Sequence, residues 1–102
     1  MPYRLTKRAA DDLRGIYNWG KRHFGQAHAV LYHHSLEELF ELLADNPEVA
    51  RERQEITPPV RVHPFGAHMI IYKVEHDGSV LIVRISHNRE NWVSLIPSST
   101  AR

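Results

Sequence analysis

The apolar residues of this 102-residue chain keep a helical spacing as far as Asn46-Pro47 and a strand spacing after Pro58-Pro59. Side chains three or four apart share one face of a helix, whereas in a strand every second one does. One change of period therefore predicts helices first and sheet afterwards. That order is the pattern of an α+β domain, in which helices cover one face of an antiparallel sheet.

Tyr3-Arg4-Leu5 reads as a short first strand. Thr6 stands where an N-cap belongs, and Asp11 and Asp12 fall in or near the first turns, where negative charge is favoured. Ala9, Ala10, Leu13, Ile16, Tyr17 and Gly20 keep helical spacing to about His23. Lys21, Arg22 and His23 suit a helix C-terminus before Phe24-Gly25 breaks the pattern. A second helix is predicted over residues 26–44, with an apolar stripe of Ala29, Tyr32, Leu36, Leu39, Phe40 and Leu43. Glu37, Glu38 and Glu41 lie largely opposite and read as a solvated face. Pro47 disfavours helical geometry at Asn46 and ends this helix. The short link between the two makes an antiparallel helical hairpin.

Residues 45–59 read as a polar connector. Strands are predicted over 60–63, 68–76 and 79–87, with a turn at Pro64-Phe65-Gly66 and Asp77-Gly78 as a two-residue hairpin loop. That loop sets a register: Val74 faces Leu81, Tyr72 faces Val83, Ile70 faces Ile85 and His68 faces His87. This apolar face is the expected seat of the helices. The other face pairs Glu75 with Val80, Lys73 with Ile82, Ile71 with Arg84 and Met69 with Ser86. An outer face carrying Met69, Ile71, Val80 and Ile82 is more apolar than a solvated sheet needs, so a partner or part of this chain should cover it. Trp92, Val93, Leu95 and Ile96 form an apolar cluster in the tail, expected to pack back as one turn before Pro97. The fold expected is thus a single domain over 1–102: an N-terminal strand, a helical hairpin, then a three-stranded antiparallel meander forming one small sheet.

Composition excludes several classes. The chain has no cysteine, so neither disulfides nor thiolate zinc sites hold it, and a cytoplasmic setting is expected. No apolar run approaches membrane-spanning length and no secretory signal is seen. The net charge of +1 hides a balance of +4 over 1–25, −5 over 26–59 and +2 over 60–102. It gives no general electrostatic drive toward nucleic acid. Eight histidines invite a metal reading, but His33 and Glu37, four apart on a helix, are only two ligands, and His63 and His68 merely flank a turn. Neither a metal nor a cofactor is expected.

Specific landmarks now meet this element order: Ala44-Asp45-Asn46-Pro47, Glu55-Ile56 leading to Val60-Arg61, the run from Phe65-Gly66-Ala67-His68 to Val74, and Ile82-Val83-Arg84-Ile85-Ser86-His87-Asn88-Arg89. Together, over about residues 3–90, they resemble the ParE toxins of the RelE/ParE superfamily of type II toxin–antitoxin systems; 91–102 remain as a C-terminal tail. The resemblance implies a toxin that inhibits DNA gyrase by protein binding and a cognate ParD-like antitoxin whose flexible C-terminal part wraps it in a hetero-oligomer. The RelE branch implies the alternative, a ribosome-dependent messenger RNA endoribonuclease. An inactive toxin surviving as an interaction module is a third reading.

A metal-independent ribonuclease needs a general base, an acid and cations for the developing phosphate charge. Lys73 and Arg84 on the outer face, with Arg61, His87 and Arg89 nearby, are the candidates. The set is thin, because only three lysines exist and Lys7 and Lys21 belong to the first helix. No catalytic residue is assigned. Arg61, Lys73, Arg84, His87 and Arg89 are instead candidate target-binding residues. Trp19, off the main stripe of its helix, joins Met69, Ile71, Val80 and Ile82 as candidate antitoxin-binding residues.

Overall fold

In the computed structural model, which describes residues 3–87, Thr6 fixes the point where the first strand ends and the first helix begins. Strand β1 (Tyr3–Leu5) runs parallel to the last strand, β5 (Val80–His87). The Thr6 hydroxyl accepts from the Ala9 N–H at 3.0 Å and donates to the Val83 carbonyl at 2.7 Å. One side chain thus caps helix α1 (Lys7–Phe24) and ties its start to the sheet. Gly25, at φ 92°, closes α1 through its N–H to Lys21 O, and its own carbonyl accepts the first bond of α2 (Gln26–Asp45). A single left-handed residue, a conformation glycine adopts without steric cost, makes the hairpin turn. Gly20 lies buried against Ala29 inside it.

The Asn46 N–H bonds to Leu42 O at 2.8 Å, and Pro47 opens a one-turn 3₁₀ helix (Pro47–Val49). The connector holds one strand beyond those expected, β2 (Glu52–Arg53), paired with β3 (Val60–Phe65). With β4 (His68–Val74), the sheet has five strands in the order β1-β5-β4-β3-β2, antiparallel except for β1 with β5. Ile56, also in the connector, is 3% exposed and belongs to the core. No helix among the described residues is long and apolar enough to cross a membrane.

The β4–β5 loop differs from expectation by one residue. Gly78 has φ 88°, its N–H bonds to Glu75 O, and the Glu75 N–H bonds to Ser79 O. This is a three-residue loop in which the glycine follows a tight turn. It pairs Val74 with Val80, Lys73 with Leu81 and Tyr72 with Ile82. A shift between Ile71 and Tyr72 then restores the expected pairing, Ile71 with Arg84 through His68 with His87. A one-residue slip turns every side chain it affects to the other face. Val80 and Ile82, expected on the outer face as antitoxin contacts, are therefore buried in the helix-facing core, both at 0% exposure. Leu81 and Val83 take their place on the outer face.

Two apolar clusters result. Leu36, Phe40 and Leu43 of α2 and Ala9 of α1 pack on Ile70, Tyr72, Val80, Ile82 and Ile85. The second cluster, on the face away from the helices, joins Ile56, Val60, Val62, Ile71 and Val83, with Met69 and Leu81 at its margin. Residues 47–50 are pinned over the first core by two side chains: the Tyr72 hydroxyl donates to Pro47 O at 2.8 Å and Arg61 Nη1 to Ala50 O at 2.6 Å.

Candidate protein-interaction site

The turn end of the helical hairpin carries large apolar side chains that the core does not use. Trp19 is 51% exposed, Phe24 59% and Leu31 69%. Trp19 and Phe24 stand late on α1, and His28 and Tyr32 early on α2, so the one-residue Gly25 turn brings all four to one end of the molecule. Between them and the β3–β4 turn lies a cavity of about 180 Å³. Its walls are Leu13, Ile16, Gly20, Ala29 and Leu36, and its rim includes Trp19, Phe24, His28, Ala67 and His68.

An unbroken chain of aromatic contacts edges this opening. Trp19 stacks on His23 at 4.0 Å and meets Phe24 edge-on at 5.6 Å. Phe24 approaches His28 at 4.9 Å, His28 lies parallel to Tyr32 at 6.4 Å, and Tyr32 touches Phe65 and His68, both at 5.6 Å. His68 continues the line to His87 at 5.8 Å. Edge-on and offset contacts are the arrangement the ring quadrupole favours. His23 Nδ1 also donates to the Trp19 carbonyl, which fixes the stacked pair.

Tyr32 anchors the sheet side of the opening. Its hydroxyl is 2.7 Å from His68 Nδ1 and bonds to Phe65 O at 3.4 Å. Burial holds the phenol above the usual tyrosine range, against a smaller opposing pull from the Ala67 backbone. The turn passes so close that a Cβ on Gly66, at φ 56°, would lie 2.8 Å from the Tyr32 oxygen. The charge beside the mouth is basic. Lys21 and Arg22 are exposed on the last turn of α1, whereas Glu38 and Glu41 are exposed far along α2, toward the other end of the hairpin.

The residues expected to bind a target do not converge. Arg61 is committed to Ala50 O on the β2 side of the sheet. Lys73, half-buried, pairs with Leu81 on the outer face. Arg84 leaves that face altogether: its Nε and Nη2 meet the two carboxylate oxygens of Asp12 at 2.8 and 3.0 Å, with side chains 13% and 17% exposed. Asp12 also accepts the Ile85 N–H at 2.9 Å, on the edge of β5 beyond the reach of β1. It serves this contact rather than the start of α1, whose first turn holds no acid. His87 is exposed and joins the aromatic chain of the hairpin mouth; Arg89 and the tail cluster lie outside the described residues. Of the expected antitoxin contacts, Trp19 sits at the mouth, Met69 and Ile71 lie on the outer face, and Val80 and Ile82 are core.

Sequence reasoning singled out Trp19 but not Phe24 or the cavity. Phe24 marked only the end of a helix, and nothing in the spacing shows that Gly25 turns the chain fast enough to leave both rings outside.

A profile described as the ParE toxin of the type II toxin–antitoxin system parDE matches residues 3–92. Toxin ParE1 of Caulobacter vibrioides is 29% identical over 90 residues, covering 88% of this chain and 92% of that protein. Toxin ParE1 of Mycobacterium tuberculosis is 30% identical over 87 residues, covering 85% and 89%. Among solved structures, a chain of the chromosomal ParDE TA system from P. aeruginosa superposes with a TM-score of 0.70 at 23% identity, over 85% of this chain and 95% of that one. The likeness supports the strand, hairpin and sheet order described above. With the profile spanning all of the described residues, the chain belongs to the ParE toxin family of type II toxin–antitoxin systems.

Proposed function

We propose that this protein acts by binding DNA gyrase rather than by cutting RNA, and that a ParD-type antitoxin silences it by occupying the hairpin mouth. The observation that carries the reading is the mouth itself: an apolar cavity of about 180 Å³ rimmed by the half-exposed rings of Trp19 and Phe24. Exposed aromatics around a pocket are what a protein partner uses as anchors, since a buried ring contributes far more than the polar contacts around it. The basic residues of α1 beside the mouth favour a partner segment that is apolar on one side and acidic on the other. ParE toxins are paired with ParD antitoxins, and the relative from P. aeruginosa was solved as a ParDE system.

The separation of Arg61, Lys73, Arg84 and His87 supports binding over catalysis. A nuclease needs its base and its phosphate clamp at one reacting bond, whereas Arg61 and Arg84 are engaged in holding the fold. The test is co-purification with a co-expressed ParD-type antitoxin, followed by calorimetric titration of the purified pair. Complex formation that Trp19→Ala and Phe24→Ala both weaken supports the site. Wild-type affinity in the double variant overturns it.

A further inference from the structure

Gly20 and Ala29 hold the two helices close together: a Cβ added to Gly20 would meet the Ala29 methyl at 3.7 Å, and both residues are buried. Beside them the helices leave the cavity of about 180 Å³, with Leu13, Ile16 and Leu36 in its walls. An apolar cavity of roughly 150 Å³ admits a benzene molecule, so the hairpin mouth has room for one aromatic ring. The rings at its rim already meet edge-on or tilted, Trp19 with Phe24 at 5.6 Å and Phe24 with His28 at 4.9 Å. A further ring entering beside them gains contacts of the same kind. Charge adds a second constraint. Lys21 and Arg22 are exposed on the last turn of α1, and the first turn of α2, across Gly25, holds no acid.

We propose that this cavity receives a single phenylalanine side chain of the partner, and that carboxylates next to that residue in the partner's sequence meet Lys21 and Arg22. The proposal rests on the reading that an antitoxin occupies the mouth, and it specifies what the antitoxin presents there. An alanine would leave most of the cavity empty, and a gap forfeits the contacts its walls could make. A tyrosine would carry its hydroxyl among Leu13, Ile16 and Leu36, which offer no hydrogen bond, while the Tyr32 hydroxyl on the same wall is engaged by His68 Nδ1 and Phe65 O. Carboxylates beside the ring stay at the solvated rim. There the attraction to exposed lysine and arginine selects and steers a partner more than it holds one. The ring supplies the affinity and the acids supply the choice.

Short peptides test this on the full-length wild-type chain: acetyl-Asp-Glu-Phe-Glu-Asp-amide, the same peptide with alanine at its centre, and the same phenylalanine flanked by lysines. In methyl NMR titrations the first is expected to shift the signals of Leu13, Ile16 and Leu36. The alanine peptide binds about tenfold more weakly or not at all. The lysine peptide binds several-fold more weakly, by a margin that shrinks as salt is raised. Equal affinity for the phenylalanine and alanine peptides overturns the anchor, and equal affinity for the acidic and basic peptides overturns the acidic flank. Shifts confined to Met69 and Val83 on the outer face overturn the placement. Ile16→Phe, which fills the cavity from within, is expected to abolish the response to the first peptide while thermal melts confirm its fold; the peptide series stands whatever that variant's stability. A co-expressed ParD-type antitoxin separates the anchor from the reading beneath it. Antitoxin binding that Trp19→Ala weakens and Ile16→Phe leaves intact overturns the anchor alone, whereas binding indifferent to both overturns the occupied mouth as well.

Discussion

Arg84 and Asp12, 72 residues apart in sequence, form a two-pronged ion pair in which the same carboxylate also accepts the Ile85 backbone N–H. β1 ends at Leu5, opposite Ile82, so the edge of β5 beyond it has no strand to pair with. Thr6 satisfies Val83 O and Asp12 satisfies Ile85 N, and α1 thereby closes the edge that β1 leaves open. Closing a strand edge in this way protects it from pairing with other chains.

Breaking that pair leaves a poorly solvated charge and an unpaired amide. Asp12→Ala is expected to cost about 3–5 kcal/mol and Arg84→Ala a comparable amount, well short of additive when combined. Urea unfolding of the two single variants and the double variant measures the coupling. Strict additivity contradicts the role assigned to the pair. Arg84→Ala is consequently unsuited to testing RNA cleavage, because lost activity would follow lost stability.

The three-residue loop and the shift beside Tyr72 place Ile82 in the core and Leu81 at the margin of the outer cluster. Ile82→Ala should cost about 2–5 kcal/mol, as a truncation in a closed core does. Leu81→Ala should cost about 1 kcal/mol. Denaturant midpoints for the two variants check the register directly. The reverse ranking implies the two-residue loop that Asp77-Gly78 suggests on its own.

Alkaline pH should loosen the connector. Burial raises the Tyr72 phenol above the usual tyrosine range, partly offset by the Ala50 backbone and the Arg61 charge. A folded-state pKa above the unfolded value gives stability that is complete below about pH 10 and lost as pH rises through the folded value. Tyr72→Phe removes that part of the alkaline slope, at the cost of the bond to Pro47 O. Tyr3 and Tyr32 are also raised by burial, so a residual slope remains. Asp77 acts with the opposite sign. Hydrogen bonds from the Ser79 hydroxyl and N–H hold its carboxyl below the usual range, so its contribution is present above the unfolded carboxylate value and lost as pH falls through the folded one. Unfolding free energy followed from acid to alkaline pH shows both slopes in the wild type and a reduced alkaline slope in Tyr72→Phe.

Trp19→Ala and Phe24→Ala should each weaken antitoxin binding by about tenfold or more, as truncation of an anchoring aromatic does. Both side chains are more than half exposed, so unfolding stability should move by about 0.5 kcal/mol or less. Calorimetric titration beside thermal melts separates the two effects. Equal losses in both would make these rings structural.

Much of the fold was legible because it is written in local pattern. Thr6, Gly25 and Pro47 punctuate the helices, and the observed ends fall within a residue of those read from spacing. β2 escaped because two residues carry no period, and Ile56 because a lone apolar residue in a polar connector looks like any other. The inward turn of Val80 and Ile82 escaped for a subtler reason: Asp77-Gly78 fits a two-residue and a three-residue loop equally, and the choice flips the strand until the shift beside Tyr72 flips it back. The site was less legible. Arg84 read as an outer-face cation because nothing local reveals that Asp12 waits at the sheet edge. Trp19 stood out only by lying off its helix stripe.

The central claim, action through gyrase by binding, is tested most directly with purified gyrase on relaxed plasmid beside ribosome-bound messenger RNA. The account predicts that the protein suppresses supercoiling and accumulates cleaved DNA, that equimolar antitoxin reverses both effects, and that the messenger stays intact. Untouched supercoiling together with messenger cleavage that Lys73→Ala abolishes would contradict it.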